Sequence, residues 1–248
     1  MPNVVIPMAV GIGLAAASMA LAVAVNGDAH VLSFFTSHRH TWLVDAAKGV
    51  TMAGDVTVLA PLAVVAGLVL WRIRAGLVMA VAPLFAFLAA GFVTAVGKAV
   101  IGRDRPPLAL HLVTENEKSM PSGHTTDGTT LYIALALVLV IVLSRGVIRG
   151  RIIAAGAVVL SVAIGLSRLE LGVHWPTDVT VSWLLGATIA LVTVAAAIAV
   201  DRHWPSLGSG RLESSMSEGR GTEQAVGDET GSDNDDHANT PTLDRQKS

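Results

Sequence analysis

No cysteine occurs in the 248 residues, so disulfides, thiolate metal sites and a cysteine nucleophile are excluded together. Its absence says little about compartment, because a fold embedded in lipid does not need disulfide staples. Charge is scarce as well: 15% of residues are charged against 52% hydrophobic, with mean hydropathy +0.60. That profile excludes an ordinary soluble domain and describes a multi-span membrane protein. An excess of positive charge is also lacking. At net −2 there is no basic field for a nucleic-acid backbone, and no nucleic-acid motif is present. Internal repeats are absent. The chemistry must rest on His, Ser, Asp, Glu or Lys.

What is present is a series of apolar runs. Residues 4–25 are continuously apolar, long enough at about 1.5 Å per residue to cross a hydrocarbon core of about 30 Å. No Lys or Arg precedes the run and it exceeds a signal-peptide core, so a retained first span is expected in place of a cleaved signal. Residues 26–55 mix His30, His38, Arg39, His40, Trp42, Asp45 and Lys48 with apolar positions, which suits a segment at the membrane surface, read as a loop over the site. The His-x-His there has no third ligand at a recognisable spacing, so no metal and no cofactor are expected.

Further spans are read at residues 56–71 (starting a few residues earlier), 75–97 (with Pro83 placed to kink it), 131–143 (borrowing 125–130 for length), 152–166 and 179–200. The predicted fold class is therefore all-α: an integral membrane bundle of six transmembrane helices over residues 1–204. Residues 205–248 hold nine acidic and four basic side chains with few large apolar ones. Such a stretch cannot bury enough apolar surface to offset its ordering entropy, and a disordered acidic tail is expected. Nothing in the sequence specifies an oligomeric state.

Alternating six spans sorts the loops onto two faces. One carries Arg72, Arg74, Arg145, Arg149, Arg151 and Arg202. The other keeps only Arg39, Lys48 and Lys118 once the cations of the polar stretches below are set aside. Positive charge accumulates on the cytoplasmic side, so the tail is expected in the cytoplasm and the polar stretches outside a plasma membrane.

Three polar stretches share that outer face: Lys98 to Pro106, Pro121 to His124, and Ser167 to Asp178. Charged side chains at the mouths of apolar segments are costly and tend to be functional. Lys98, Arg105 and Arg168 can neutralise the oxygens of a phosphate, the Arg forks bidentately. Ser122 and the Gly123 N–H add donors, strengthened if a helix begins there. An imidazole is a competent nucleophile when its other nitrogen donates to a carboxylate. His174 and Asp178 are four apart across Pro176, a residue welcome in the first turn of a helix. His124 is then the group that protonates the leaving oxygen. Taken singly, each stretch also has a structural reading: snorkelling cations, a turn with an N-cap, a His–Asp pair at a helix start.

Together they read Lys-x6-Arg-Pro, Pro-Ser-Gly-His and Ser-Arg-x5-His-x3-Asp. The chain thus resembles the type-2 phosphatidic acid phosphatase, or lipid phosphate phosphatase, superfamily, including bacterial undecaprenyl-pyrophosphate and phosphatidylglycerophosphate phosphatases. The resemblance implies His174 as nucleophile, Asp178 as its partner and His124 as acid/base. It also implies Lys98, Arg105, Ser122, Gly123 and Arg168 as phosphate ligands. The expected partner is a lipid phosphate or pyrophosphate, with a polyprenyl pyrophosphate first and phosphatidic acid or phosphatidylglycerophosphate next.

Outside the signature, Arg103 and Asp104 read as a local ion pair or an auxiliary clamp. Glu170 is read as either holding Arg168 or solvated, and Ser182 as a packing detail. The alternatives are a vanadium haloperoxidase-like enzyme, which shares the anion pocket, and a non-catalytic anion-binding membrane protein or transporter.

The orientation has a direct check. A protease added to intact cells is expected to leave a tag on the C-terminus uncut; cleavage from outside reverses the assignment.

Overall fold

The computed structural model describes residues 27–73, 75–143 and 147–203, and among them every regular element is a helix. In chain order these are α1 (Asp28–Ser37), α2 (Thr41–Met52), α3 (Val56–Arg72), α4 (Leu77–Ile101), a 3₁₀ turn (Leu108–Leu110), α5 (Gly123–Leu143), α6 (Val147–Glu170) and α7 (Pro176–His203). Helices α4 to α7 are each long and apolar enough to cross a membrane, with mean hydropathy of 2.0 to 2.3. Helices α2 and α3, bent by 45° at a short break, make a fifth span if taken as one. The first expected span, residues 4–25, and the expected tail, residues 205–248, lie outside the described residues.

Of the two readings of the segment 26–55, an amphipathic stretch at the membrane surface and a solvated loop, the loop gives way: its described residues form α1 and α2. The expected early start of the next span also gives way, because Asp55 stands outside α3 as its N-cap and accepts the Thr57 N–H at 2.8 Å. A capped start offsets part of the cost of the orphan N–H groups of a first turn. The Tyr132 hydroxyl donates to the Ala53 carbonyl at 2.8 Å, fastening this break to α5. Helix α4 runs unbroken through Pro83.

Helix α5 is the centre of the bundle, packed against α4, α6 and α7. The core around it is built of small residues, among them Ala82, Ala86, Ala134 and Ala190. Small side chains let helices approach where lipid supplies little hydrophobic drive between them. At the α5–α7 crossing a Cβ on Gly186 would lie 2.7 Å from the Thr126 carbonyl, so only glycine fits. Outward-facing positions such as Phe92 and Val100 on α4 are apolar and exposed, as a surface turned to hydrocarbon requires.

The consecutive helices α4 to α7 alternate in direction. The C-terminal ends of α4 and α6 and the N-terminal ends of α5 and α7 therefore meet at one end of the bundle. Two connections close over that end, residues 102–122 and 171–175. They touch at Gly172, which takes a left-handed φ of 73° and whose absent Cβ would stand 2.2 Å from the Leu110 carbonyl. Gly pays no steric penalty for that conformation. Arg39, just ahead of α2, pins the same junction by donating to the Glu170 and Leu110 carbonyls at 2.9 and 2.8 Å.

Candidate active site

A cavity of about 580 Å³ opens at this end of the bundle, walled in part by Lys98, Arg105, Glu115, Gly123, His124 and His174. A second cavity of about 610 Å³ between α5 and α6 is almost wholly apolar. It offers no group for acid, base or nucleophilic chemistry.

His174 sits in the 171–175 connection, 1% exposed. Its Nδ1 lies 3.5 Å from Asp178 Oδ2, and its Nε2 lies 3.1 Å from Arg105 Nη1. A guanidinium can only donate, so Nε2 accepts and carries the lone pair while Nδ1 carries the proton toward the carboxylate. The contacts thus select one tautomer. Asp178 can act in this way because Pro176 opens α7 and the chain folds back, the Trp175 N–H donating to Asp178 Oδ2 at 2.9 Å.

The cations expected to clamp a phosphate gather on one loop's carboxylates. Glu115 bridges Arg105, at 3.2 Å, and Arg168, while Glu117 pairs with Lys98. Burial alone would raise the Glu115 carboxyl, but the Arg168 and Arg105 guanidiniums outweigh it and leave it below its usual range. Arg168 is buried and also donates to the Thr51 hydroxyl at 2.8 Å, leaving its Nε without a partner. Such an orphaned donor is costly unless an acceptor reaches it.

Gly123 is the first residue of α5 and lines the cavity, with His124 beside it. His124 Nε2 is 3.5 Å from Asp55 Oδ2. Ser122 is brought near but not onto the cavity wall: fully buried, it shares a hydrogen bond with the Thr125 hydroxyl at 3.0 Å. Asp178 stands behind His174, wholly enclosed. Among the described residues no group of three or more His, Asp or Glu side chains is placed to hold a metal ion.

Three readings from the sequence are corrected by these contacts. Arg103 does not pair with Asp104, whose partner is Lys118 at 2.7 Å. Its guanidinium instead joins Asp178 at 2.6 Å and Asp28 at 2.5 Å and stacks 5.5 Å from the Trp175 ring. Glu170 neither holds Arg168 nor is solvated: it is buried, with Oε1 unpartnered, and Glu115 is the Arg168 carboxylate. Ser182 is more than packing, since its hydroxyl accepts the Ser122 N–H at 2.8 Å and donates to the Asp178 carbonyl at 2.7 Å.

Other site residues went unread. Asp28 accepts from Thr177 N at 3.0 Å as well as from Arg103. Ser119 donates to Asp178 Oδ2, and Glu115 and Glu117 cover the clamp. Two acidic residues in the polar loop between Lys98 and His124 were the available signal for the last pair.

The PAP2 superfamily model matches residues 79–202, the stretch containing every one of the proposed site residues. Phosphatidylglycerophosphatase B of Bacillus subtilis is 34% identical over 151 residues, covering 60% of this chain and 72% of that protein. Decaprenylphosphoryl-5-phosphoribose phosphatase of Mycobacterium tuberculosis is 38% identical over 92 residues, 36% of this chain and 43% of that protein. Among solved structures, the crystal structure of the first transmembrane PAP2 type phosphatidylglycerolphosphate phosphatase from Bacillus subtilis superposes with a TM-score of 0.69 at 28% identity. It covers 76% of this chain and 95% of that one. Aquifex aeolicus LpxE shares the fold, with a TM-score of 0.52 at 23% identity over 66% of this chain and 93% of its own.

The burial of His174 sets a pH expectation. Enclosure outweighs the hydrogen bond that the ring donates to Asp178 and holds the imidazole down to about 4, against an ordinary 6.5. A lowered value means the ring stays neutral as pH falls through 6.5 and gains its second proton only near 4. Histidine-selective ¹⁵N NMR, assigned with His174→Gln, is expected to show a neutral His174 at pH 5.5. A midpoint at or above 6.5 contradicts the enclosure described.

Proposed function

The chain belongs to the PAP2 superfamily, and from that membership we propose that it is a multi-pass membrane phosphatase. It removes the terminal phosphate of a lipid phosphate or pyrophosphate through a phosphohistidine on His174. One observation carries the reading: the His174 lone pair on Nε2 faces Arg105 at 3.1 Å in the cavity that His124 also lines. An attacking nitrogen, a charge clamp and a proton donor thus share one space.

In this reading the phosphate binds to Lys98, Arg105 and Arg168 in exchange for the Glu115 and Glu117 carboxylates, and the free Arg168 Nε gains its acceptor. The Gly123 N–H and the first turn of α5 add donors to the same oxygens. Ser122 joins them on turning its hydroxyl from Thr125. His174 Nε2 attacks phosphorus and forms the P–N bond while the P–O bond to the lipid breaks. His124, protonated, gives its proton to the leaving oxygen. Asp178 stabilises the imidazolium that develops. Neutral His124 then takes a proton from water as its oxygen attacks phosphorus, the P–N bond breaks, and phosphate leaves with His174 restored. Positioning and charge neutralisation are most of what phosphoryl transfer asks of a protein.

The two curated relatives are named for phosphatase action on phosphatidylglycerophosphate and on decaprenylphosphoryl-5-phosphoribose, which supports a lipid phosphate as substrate. The positive charge of the opposite loops supports a site at the outer face of the plasma membrane, the reason for ranking polyprenyl pyrophosphate first on topology.

The test is phosphate release by the purified protein from these lipids. His174→Ala is expected to lower kcat by about 10⁴-fold or more, as loss of a covalent nucleophile does, with substrate still retained by the cations, and wild-type activity is expected to persist in EDTA. Release by His174→Ala at the wild-type rate, or its complete dependence on added magnesium, overturns the mechanism.

A further inference from the structure

Asp127 has no part in the steps above, yet it is an acidic side chain in the membrane-spanning helix α5. Carboxylates at that depth are expensive and functional as a rule. Its one side-chain hydrogen bond is the long contact from the Thr94 hydroxyl at 3.5 Å, and no ion pair joins it among the described residues. It is three residues beyond His124, so the two side chains project from one helix face. Both line the cavity that holds Lys98 and His174.

Its depth gives it meaning. Helix α4 descends from Lys98 to Thr94 and Gly91 as α5 descends from His124 to Asp127. Thr94 and Asp127 therefore lie about one turn, roughly 5 Å, below the clamp on the bilayer side. Gly91 also lines the cavity, and a Cβ there would meet nothing within 4 Å. With a phosphate held at Lys98 and Arg105 as proposed, the part of a lipid between its terminal phosphate and its tails would pass this point.

The chemistry at that point discriminates between lipids. The oxygens of a carboxylate accept hydrogen bonds. A second phosphate, as in a pyrophosphate, and the ester carbonyls of a phosphatidate bring only further acceptors to Asp127 and Thr94. A free hydroxyl within a carbon or two of the phosphoester carbon brings the missing donor. Resting on the reading of the site as a lipid phosphatase, we propose that Asp127, with Thr94, is a specificity-determining site for a hydroxyl on the leaving group. The preferred substrate class is then a phosphomonoester of a polyol headgroup, glycerol or sugar, which reverses the ranking that topology alone gives and sets polyprenyl pyrophosphate behind it.

The experiment compares kcat/KM of the purified full chain on phosphatidylglycerophosphate, a polyprenyl-linked sugar phosphate, phosphatidic acid and polyprenyl pyrophosphate. The wild type is expected to prefer at least one polyol substrate by about tenfold or more, since a site built to bind a hydroxyl rejects ligands lacking it. Which of the two polyol lipids it prefers names the headgroup. Asp127→Asn, which keeps shape and removes charge, and Asp127→Ala are expected to collapse that ratio, with the pyrophosphate gaining relative to the polyol. A wild type without preference, or variants that scale all four rates by one factor, overturns the inference and leaves the phosphatase reading standing. Release from none of the four sinks both.

Discussion

The enclosed carboxylate of Asp178 is the constraint around which this end of the molecule is arranged. It is fully buried, and a charge in such a place persists only when its lone pairs are met. Four groups meet them: His174 Nδ1, the Arg103 guanidinium, the Ser119 hydroxyl and the Trp175 N–H. They come from two connections at this end of the bundle, Arg103 and Ser119 from residues 102–122 and His174 and Trp175 from residues 171–175. Satisfying one carboxylate therefore fixes the 102–122 loop, the 171–175 connection and the start of α7 relative to one another. Asp28 extends the arrangement, because its own carboxylate neutralises the far side of Arg103 and ties α1 to the same point.

The same logic explains the rest of the polar end. The bundle below is apolar and assembled from small residues, so cations stand at the helix ends, and at the cavity end Lys98, Arg103, Arg105 and Arg168 each find a carboxylate. Lys98, Arg105 and Arg168 are held by Glu117 and Glu115. In the proposed function, a substrate phosphate offers these cations a stronger, multidentate version of what the carboxylates already supply. In the same reading, competition between internal and external anions makes binding depend on phosphate charge, and as Arg105 turns to the phosphate it frees the His174 Nε2 lone pair, whose tautomer Asp178 holds, to attack.

Much of this was legible in the residues alone. The apolar runs marked the spans from α3 onward because hydropathy over a bilayer's thickness is a long, redundant signal. Polar residues continue some helices past the apolar run, as in α5, where the residues 125–130 claimed for length are helical and the helix begins two residues earlier still, at Gly123. Residues 26–55 misled because mixed polarity describes a short amphipathic helix as well as a loop. The polar stretches at Lys98, Pro121 and Ser167 could be assigned to one end by counting spans. Pairings across the end could not. Arg103 meets Asp28 and Asp178 across 75 residues each way, and its neighbour Asp104 was the obvious partner by proximity alone. Ser182 looked inert because its hydrogen bond to Ser122 exists only once α7 and the start of α5 are side by side. Glu115 and Glu117 stand in a loop whose path no periodicity encodes.

The central claim is that His174 forms a covalent bond to phosphorus. It is tested most directly by mixing the purified protein with a lipid substrate labelled with ³²P in its terminal phosphate, quenching within a turnover and mapping the label. The account predicts a phosphoprotein that is stable in alkali and labile in acid, with the label on the peptide containing His174. A label on a serine or carboxylate peptide, or none in a protein that is turning over, would contradict it.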